Sequence, residues 1–249
     1  MRTAIILAGG RGLRLGPVSE DVPKPMMRIG GRPILEYIIE RVAAIGIRDI
    51  RIVVAYKKET IIQYFGDGTR HGVAIEYTDN PQIDVKKKSG LSDAVLLFKG
   101  VITEPFMTIL GDEVYHHTQH QEMVSQFESD PRYESMIAVH QGKSIEEVKK
   151  NYSVKISADG LIEDLEEKPE HPWNNYIGCG TYLFKPSIFS YIEQTAYSPK
   201  SGRRELADTM KQMVADGKKI GAYDIGGAYL NINYPEDIAR AEAIVKGAE

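Results

Sequence analysis

The first apolar run of the chain, residues 3–8, is short and ends at two glycines. This pattern is typical of a buried strand that enters a loop. From Pro33 onward the apolar residues recur at helical spacing, and Gly46 stands where a helix would end. The next apolar run, residues 50–55, is rich in β-branched side chains and predicts a second strand. Strand, glycine loop, helix and strand in this order predict a right-handed βαβ unit and a parallel sheet.

The rest of the chain continues the alternation and then becomes richer in strands. The pattern predicts helices over residues 59–65, from Leu91, and over 186–195, 204–215 and 235–245, and strands over 74–77, 106–110, 135–139, 152–156 and 161–166. Residues 158–160 have the composition of a hairpin turn between the last two of these strands. We therefore expect an α/β protein with three layers, a mixed but mostly parallel sheet, and a β-rich insertion late in the chain.

The composition agrees with an α/β protein and excludes several other classes of protein. The chain has 249 residues and no compositional break, which predicts a single domain over residues 1–249. A formal charge of −4 offers no basic surface for nucleic acid. Cys179 is the single cysteine, so an intrachain disulfide is excluded. With no signal-like segment and no apolar run of about 18 residues, the sequence predicts a cytoplasmic protein with no membrane partner.

The glycine loop after the first strand carries the most specific chemistry. Residues 7–26 are LAGGRGLRLGPVSEDVPKPM. The third glycine is displaced from the dinucleotide fingerprint, and no Lys-Ser or Lys-Thr follows as in a Walker A loop. A short-chain dehydrogenase is also disfavoured, because none of the 14 tyrosines begins a Tyr-x-x-x-Lys pair. Glycines let backbone amides approach a phosphate or a base closely, and Arg14 and Lys24 add two cations. This combination favours a nucleoside triphosphate.

The string resembles the G-G-x-G-x-R-L…P-K-P-M signature of the sugar-1-phosphate nucleotidyltransferases, also called nucleotide-sugar pyrophosphorylases. Further landmarks of that family follow in order, namely GLSDA at 90–94, LGD at 110–112, EEKP at 166–169, GCGTY at 178–182 and YLNINYPED at 229–237. The resemblance covers essentially the whole chain. It implies the nucleotidyltransferase fold, which is Rossmann-like and GT-A-like. It also implies Mg²⁺-dependent transfer of a nucleotidyl group from an NTP to a sugar 1-phosphate, giving an NDP-sugar and pyrophosphate.

The resemblance also implies roles for individual residues in the nucleotide-binding part, about residues 1–132. Arg14 would hold the β- and γ-phosphates, Lys24 would neutralise the α-phosphate, and Asp112 would be the first metal ligand. The residues expected to contact the nucleotide are Leu7, Ala8, Gly9, Gly10, Gly12, Asn80 and Gly90.

The sugar phosphate would be bound by residues of the part over about 133–234, which a C-terminal helix over 235–249 follows. By resemblance, Lys168 contacts the phosphate and Glu167 accepts hydrogen bonds from sugar hydroxyls. Gly180 and Tyr182 would line the same pocket.

The second metal ligand is where the sequence departs from the sugar thymidylyltransferases. Their W-x-D-x-G motif corresponds to Tyr229, Asn231 and Asn233 here, so an asparagine stands in place of the aspartate. An amide oxygen can still bind Mg²⁺. We favour Asn231 as the ligand, with Asn233 as the alternative.

Several alternatives stay open at this stage. A noncatalytic homologue that binds nucleotide or sugar phosphate, or an enzyme with a non-sugar phosphate acceptor, fits the same motifs. The nucleobase, the sugar and the oligomeric state, a homo-oligomer included, are not decided by the sequence. We expect His116, His117 and His120 to lie in an exposed loop and Cys179 to pack as a small apolar residue.

Overall fold

The structure is a computed structural model that describes residues 1–16, 21–80, 89–149 and 151–247. The strands in these residues are β1 (Thr3–Leu7), β2 (Arg28–Ile29), β3 (Arg32–Pro33), β4 (Asp49–Val54), β5 (Ala74–Asp79), β6 (Phe106–Leu110), β7 (Glu113–His116), β8 (Tyr133–Gln141), β9 (Tyr152–Ile156), β10 (Ile162–Glu167), β11 (Tyr176–Phe184), β12 (Lys219–Asp224) and β13 (Ala228–Asn231). The helices are α1 (Ile34–Ala44), α2 (Lys58–Phe65), α3 (Leu91–Leu96), α4 (His120–Ser129), α5 (Ile145–Val148), α6 (Ile188–Gln194), α7 (Leu206–Ala215) and α8 (Pro235–Val245). The fold is mixed α/β, as predicted.

The chain divides into two compact units. The first, which we call the glycine-loop unit, comprises Arg2–Ile83, Ile109–Thr118 and Gly227–Glu249. The second, which we call the β-rich unit, comprises Met1, Asp84–Thr108 and Gln119–Gly226. The predicted nucleotide-binding part, residues 1–132, therefore draws on both units.

The glycine-loop unit is built on parallel strands. β4 pairs in parallel with β1 on one side and with β5 on the other, which confirms the predicted parallel β–α–β arrangement. α1 buries one face through apolar residues three and four apart and ends before Gly46, whose φ is +87°. Beyond the end of β6, the amide of Gly111 donates to the carbonyl of Leu7 at 3.0 Å. The residue that precedes Asp112 is thereby held beside the end of β1.

A second, smaller sheet lies in the same unit. β7 and β13 pair antiparallel over four residues each, and the hairpin β2–β3 precedes α1. An apolar cluster supports these elements and consists of Leu15, Met27, Ile29, Ile34, Val114, Leu230, Ile232, Ala241 and Ile244. The cluster packs residues adjacent to Arg14, Asn231 and Asn233 into one core.

The β-rich unit contains the predicted insertion. β11 pairs antiparallel with β8 and β9, β10 pairs antiparallel with β9, and β12 lies parallel to β8. The predicted hairpin around residues 158–160 is confirmed by the pairing of β9 with β10.

The prediction of an exposed loop is wrong for His116 and His120, whereas His117 lies outside the strands and helices and is exposed. His120 does not lie in an exposed loop; it begins α4, is fully buried, and its Nε2 lies 3.3 Å from the Thr181 hydroxyl. His116 ends β7 and is partly buried, whereas His117 is exposed. The physical reason is that the Thr181 hydroxyl gives the ring a polar partner in the interior, which offsets part of the cost of burying His120. In the part of the chain described, no helix is long and apolar enough to cross a bilayer.

Candidate active site

The glycine loop begins where β1 ends. The amide of Ala8 donates to the Val53 carbonyl at 2.9 Å, and Gly9 is buried whereas Gly10 is exposed. No described atom lies within 4 Å of the position that a Cβ on Gly10 would take. Gly12 differs, because its φ is +73° and a Cβ there would lie 3.0 Å from the Cβ of Lys24. Gly10 therefore leaves backbone open to a ligand, whereas Gly12 is required by the turn and by close packing.

Lys24 and Asp112 are brought together although 88 positions separate them. The Lys24 Nζ donates to Asp112 Oδ2 at 2.6 Å. Lys24 is only 7% exposed and lies in a 3₁₀ turn between Pro23 and Met27 that Pro25 helps to fix. Asp112 follows β6 in a turn and keeps about a quarter of its side chain accessible (24%). The pair thus combines a desolvated cation with a carboxylate that a ligand can reach.

Arg14 is held by an aromatic contact. Its guanidinium lies 5.7 Å from the centre of the Tyr234 ring, in the cation–π range. Tyr234 is positioned in turn by Asp237, which is buried and accepts from the amides of Asn233 and Tyr234 at 2.8 and 2.9 Å. Arg14 itself is exposed and available to an anionic ligand.

The two candidate metal-ligating asparagines differ in their surroundings. Asn231 is the last residue of β13, and the next amide, that of Ile232, donates to the Asp112 carbonyl at 3.3 Å. The Asn231 Oδ1 is buried, and no described residue gives it a hydrogen bond. Asn233 lies in the turn before α8. The Asn231 Oδ1 therefore suits a hard cation, because it is buried without a hydrogen bond from a described residue and the next residue is bonded to the backbone of Asp112.

Sequence reasoning missed one charged residue beside this site. Glu113 follows Asp112, is 1% exposed, and accepts a hydrogen bond from the Tyr229 hydroxyl at 2.7 Å and another from the Tyr115 hydroxyl. Only the pairing of β7 with β13 brings these side chains together. The sequence signal that could have found Glu113 is the alternation of side chains along these two strands, neither of which was predicted.

Two predicted nucleotide contacts lie at element ends. Asn80 follows β5, is 3% exposed, and its amide donates to the Val54 carbonyl at 2.9 Å. In the β-rich unit, Gly90 precedes α3, and its amide donates to Asp93 Oδ2 at 2.9 Å. A Cβ on Gly90 would lie 2.1 Å from the Arg204 carbonyl oxygen, so the position requires glycine for steric reasons.

The predicted sugar-phosphate residues Glu167 and Lys168 lie at the end of β10. Lys168 has φ +48°, uncommon for a residue with a side chain, and its amide donates to the Asn151 carbonyl at 2.8 Å. Its Nζ is 3.9 Å from Glu167 Oε1. Burial raises the pKa of the Glu167 carboxyl, and the Lys168 charge opposes the shift. Because 45% of the Glu167 side chain is accessible, solvent screens these effects.

Gly180 and Tyr182 lie in β11 and are both buried. The Tyr182 ring stacks on Phe184 with centroids 5.7 Å apart, so much of this ring is committed to packing. Cys179 is fully buried. The packing role predicted for Cys179 agrees with this burial.

A second group of potential metal ligands combines two glutamates of α1 with a histidine from the turn after α2. One ligand atom from each of Glu36, Glu40 and His71 lies within 4.8 Å of the others. Arg32 forms ion pairs with both glutamates, and Arg70 Nε donates to His71 Nε2 at 3.1 Å. Protein cations already neutralise this cluster, so we assign it no metal.

Comparisons with known proteins identify the family of the chain. Residues 3–247 match the nucleotidyl transferase family. One relative is the UTP–glucose-1-phosphate uridylyltransferase AglF of Haloferax volcanii, to which the chain is 34% identical. The alignment covers 96% of this chain and 94% of AglF. It is 35% identical over 96% of its length to the bifunctional protein GlmU of Methanocaldococcus jannaschii, of which it spans about half (53%).

The fold has solved counterparts. A UDP-glucose pyrophosphorylase complexed with UDP-glucose superposes with a TM-score of 0.86, at 23% identity and with full coverage of both chains. At this identity the likeness concerns the fold. The match over almost the whole sequence and the identity to curated relatives together place the chain in the nucleotidyl transferase family.

Proposed function

We propose that the protein transfers the nucleotidyl group of an NTP to a sugar 1-phosphate. The observation that carries the proposal is the contact between Lys24 and Asp112, 2.6 Å apart beside a glycine loop with open backbone at Gly10. In the reaction, a phosphate oxygen of the sugar phosphate forms a bond to the α-phosphorus as the bond to the bridging β-phosphate oxygen breaks. Pyrophosphate leaves with that electron pair.

The chain's own residues supply positioning and charge. Arg14 binds the phosphates that leave, and Lys24 neutralises the α-phosphate as charge develops on its oxygens. The backbone of residues 7–12, with Asn80 and Gly90, orients the nucleoside. In the β-rich unit, Lys168 binds the sugar phosphate, Glu167 accepts hydrogen bonds from the sugar hydroxyls, and Gly180 and Tyr182 line the same pocket.

The residues present fit a divalent metal. Asp112 offers a carboxylate oxygen and Asn231 a buried amide oxygen, the ligand types that Mg²⁺ prefers, and Asn233 remains the alternative to Asn231. When bound, Mg²⁺ would supply charge stabilisation at the phosphates.

The experiment is a panel of NTPs and sugar 1-phosphates with Mg²⁺, scored by pyrophosphate release and by the NDP-sugar formed. The relative AglF supports UTP and glucose 1-phosphate as the first pair. We expect stoichiometric pyrophosphate and NDP-sugar with at least one pair. Nucleotide binding without turnover on any sugar phosphate would favour the noncatalytic alternative, and turnover with a different phosphorylated acceptor would favour the non-sugar alternative.

A further inference from the structure

Glu113 is a buried carboxylate that the proposed mechanism does not use. It is 1% exposed, and two tyrosine hydroxyls, those of Tyr115 and Tyr229, donate to its two oxygens. The centres of the two rings lie 5.5 Å apart, and the two tyrosines come from the paired strands β7 and β13. Hydrogen bonds to both oxygens allow a negative charge to persist in an interior position.

The register of the small sheet places this charge opposite a candidate metal ligand. Glu113 is the direct cross-strand partner of Asn231 in the antiparallel pair β7–β13. Side chains at directly opposite positions project from the same face of a sheet, with Cβ atoms about 5 Å apart. The Glu113 side chain therefore lies on the same face as Asn231, whose Oδ1 is buried and receives no hydrogen bond from the described residues.

The same register explains why an asparagine suits position 231. An aspartate there would face Glu113, and like charges directly opposite each other destabilise a strand pair. An asparagine offers the same oxygen without that repulsion. A negative charge at position 113 is therefore compatible with a neutral amide at position 231 but not with a second carboxylate there.

We propose that Glu113 is a positioning residue of the metal site, which supplies from the strand opposite Asn231 the negative charge that the amide ligand lacks. Resting on the proposed function, this inference concerns metal affinity and not contact with substrate. It predicts that positions 113 and 231 are energetically coupled.

The test measures binding of Mn²⁺ alone by its electron paramagnetic resonance signal, together with the Tm in EDTA. The variants are Glu113→Gln, Asn231→Asp and the double variant. Glu113→Gln should weaken Mn²⁺ binding about three- to tenfold, as expected for loss of one unit charge at several ångströms in a partly screened site. Asn231→Asp should lower the Tm in EDTA and recover it with metal. The double variant moves the charge onto the ligand and should restore both the affinity and the Tm.

Glu59→Gln is the matched control, because it removes the same formal charge from an exposed position on α2 of the same unit. It should leave Mn²⁺ affinity unchanged. If Glu113→Gln lowers the Tm without changing Mn²⁺ affinity, or if Asn231→Asp lowers the Tm in EDTA as much in the Glu113→Gln background as in the wild type, the proposal is overturned and Glu113 only supports the fold.

Two further measurements cover the remaining outcomes. If Glu113→Gln does not fold, Asn231→Asp can still overturn the proposal, since an Asn231→Asp protein as stable as the wild type in EDTA contradicts the coupling. Tyr115→Phe and Tyr229→Phe keep the charge and should change Mn²⁺ affinity less than Glu113→Gln does. Because Mn²⁺ binding needs no turnover, failure of the proposed reaction in the substrate panel is distinguishable from failure of this coupling.

Discussion

At the scale of single residues, Lys24 and Asp112 form an ion pair with unequal burial. The Lys24 side chain is 9% accessible and that of Asp112 is 24% accessible. Removing the carboxylate leaves an ammonium group desolvated without its partner, whereas removing the ammonium group leaves a carboxylate that water can reach. The two partners should therefore contribute differently to stability even though both are needed for the proposed reaction.

We expect Asp112→Ala and Lys24→Met to abolish nucleotidyl transfer, but only Asp112→Ala to destabilise the protein strongly. An unpaired buried charge costs about 3 kcal/mol, which corresponds to a fall in Tm of roughly 6–12 °C in a chain of this size. Differential scanning calorimetry of both variants provides the measurement. Equal loss of stability in the two would show that the asymmetry in burial has no energetic consequence.

Arg14 should affect the rate without affecting stability. It is exposed, and its described contact is the ring of Tyr234. Arg14→Ala should reduce kcat by roughly 10², as for loss of one preorganised contact to developing charge, while the Tm stays within about 1 °C. Steady-state kinetics with the pair found in the substrate panel tests this. Tyr234→Phe keeps the aromatic face and should retain most of the activity.

The sequence predicted these cations because their spacing around the glycines resembles a known signature. It did not predict Glu113, because a glutamate after Asp112 carries no signal by itself. Its importance arises from the cross-strand contact with Asn231 and from Tyr115 and Tyr229, which only the pairing of β7 and β13 brings together.

At the scale of elements, the glycine loop contains two kinds of glycine. Among the residues that the structure describes, Gly10 has no neighbour that a Cβ would touch, and its φ is not positive, whereas Gly12 has φ +73° and packs on Lys24. An alanine at position 10 should therefore change ligand binding, whereas an alanine at position 12 should change the stability of the fold.

We expect Gly10→Ala to leave the Tm unchanged and to raise the KM for the NTP about tenfold, the effect of losing about 1.4 kcal/mol of close approach to backbone. Gly12→Ala should lower the Tm by several degrees, because it combines a strained φ with a tight contact on Lys24. Thermal melts and NTP titrations of both variants make the comparison. An unchanged KM in a folded Gly10→Ala protein would place the nucleotide elsewhere.

Elements with strong apolar periodicity were predicted closely. Strand β6 and helix α8 begin and end at the predicted residues. The missed elements are strands β2, β3, β7, β12 and β13 and helices α4 and α5. All of them except β12 and α4 have four residues or fewer, and α4 carries mostly polar side chains. Such elements are stabilised by the core beneath them, here Val114 and Leu230, and by pairing between distant segments. The local sequence does not indicate which distant segments pair.

At the scale of the whole molecule, binding a highly charged nucleotide should be visible as stability. The chain carries a formal charge of −4, so non-specific attraction of a triphosphate is disfavoured and binding must come from the local cations of the glycine-loop unit. A ligand that binds only the folded state stabilises it by about 2.7 kcal/mol at a concentration 100 times its Kd. For a chain of this size this amounts to a rise in Tm of roughly 5–11 °C.

We therefore expect a thermal-shift series with Mg²⁺ and each NTP to identify the preferred base before any turnover is measured. UTP should give the largest rise in Tm if the protein shares the base named for AglF. Arg14→Ala should reduce the rise, because the shift depends on the triphosphate contact as well as on the base. Inorganic pyrophosphate alone should produce a smaller rise that Arg14→Ala also reduces, since it offers the same phosphate contact without the nucleoside. A rise that is equal for all NTPs and unaffected by Arg14→Ala would contradict both the assigned phosphate contact and the expected base preference.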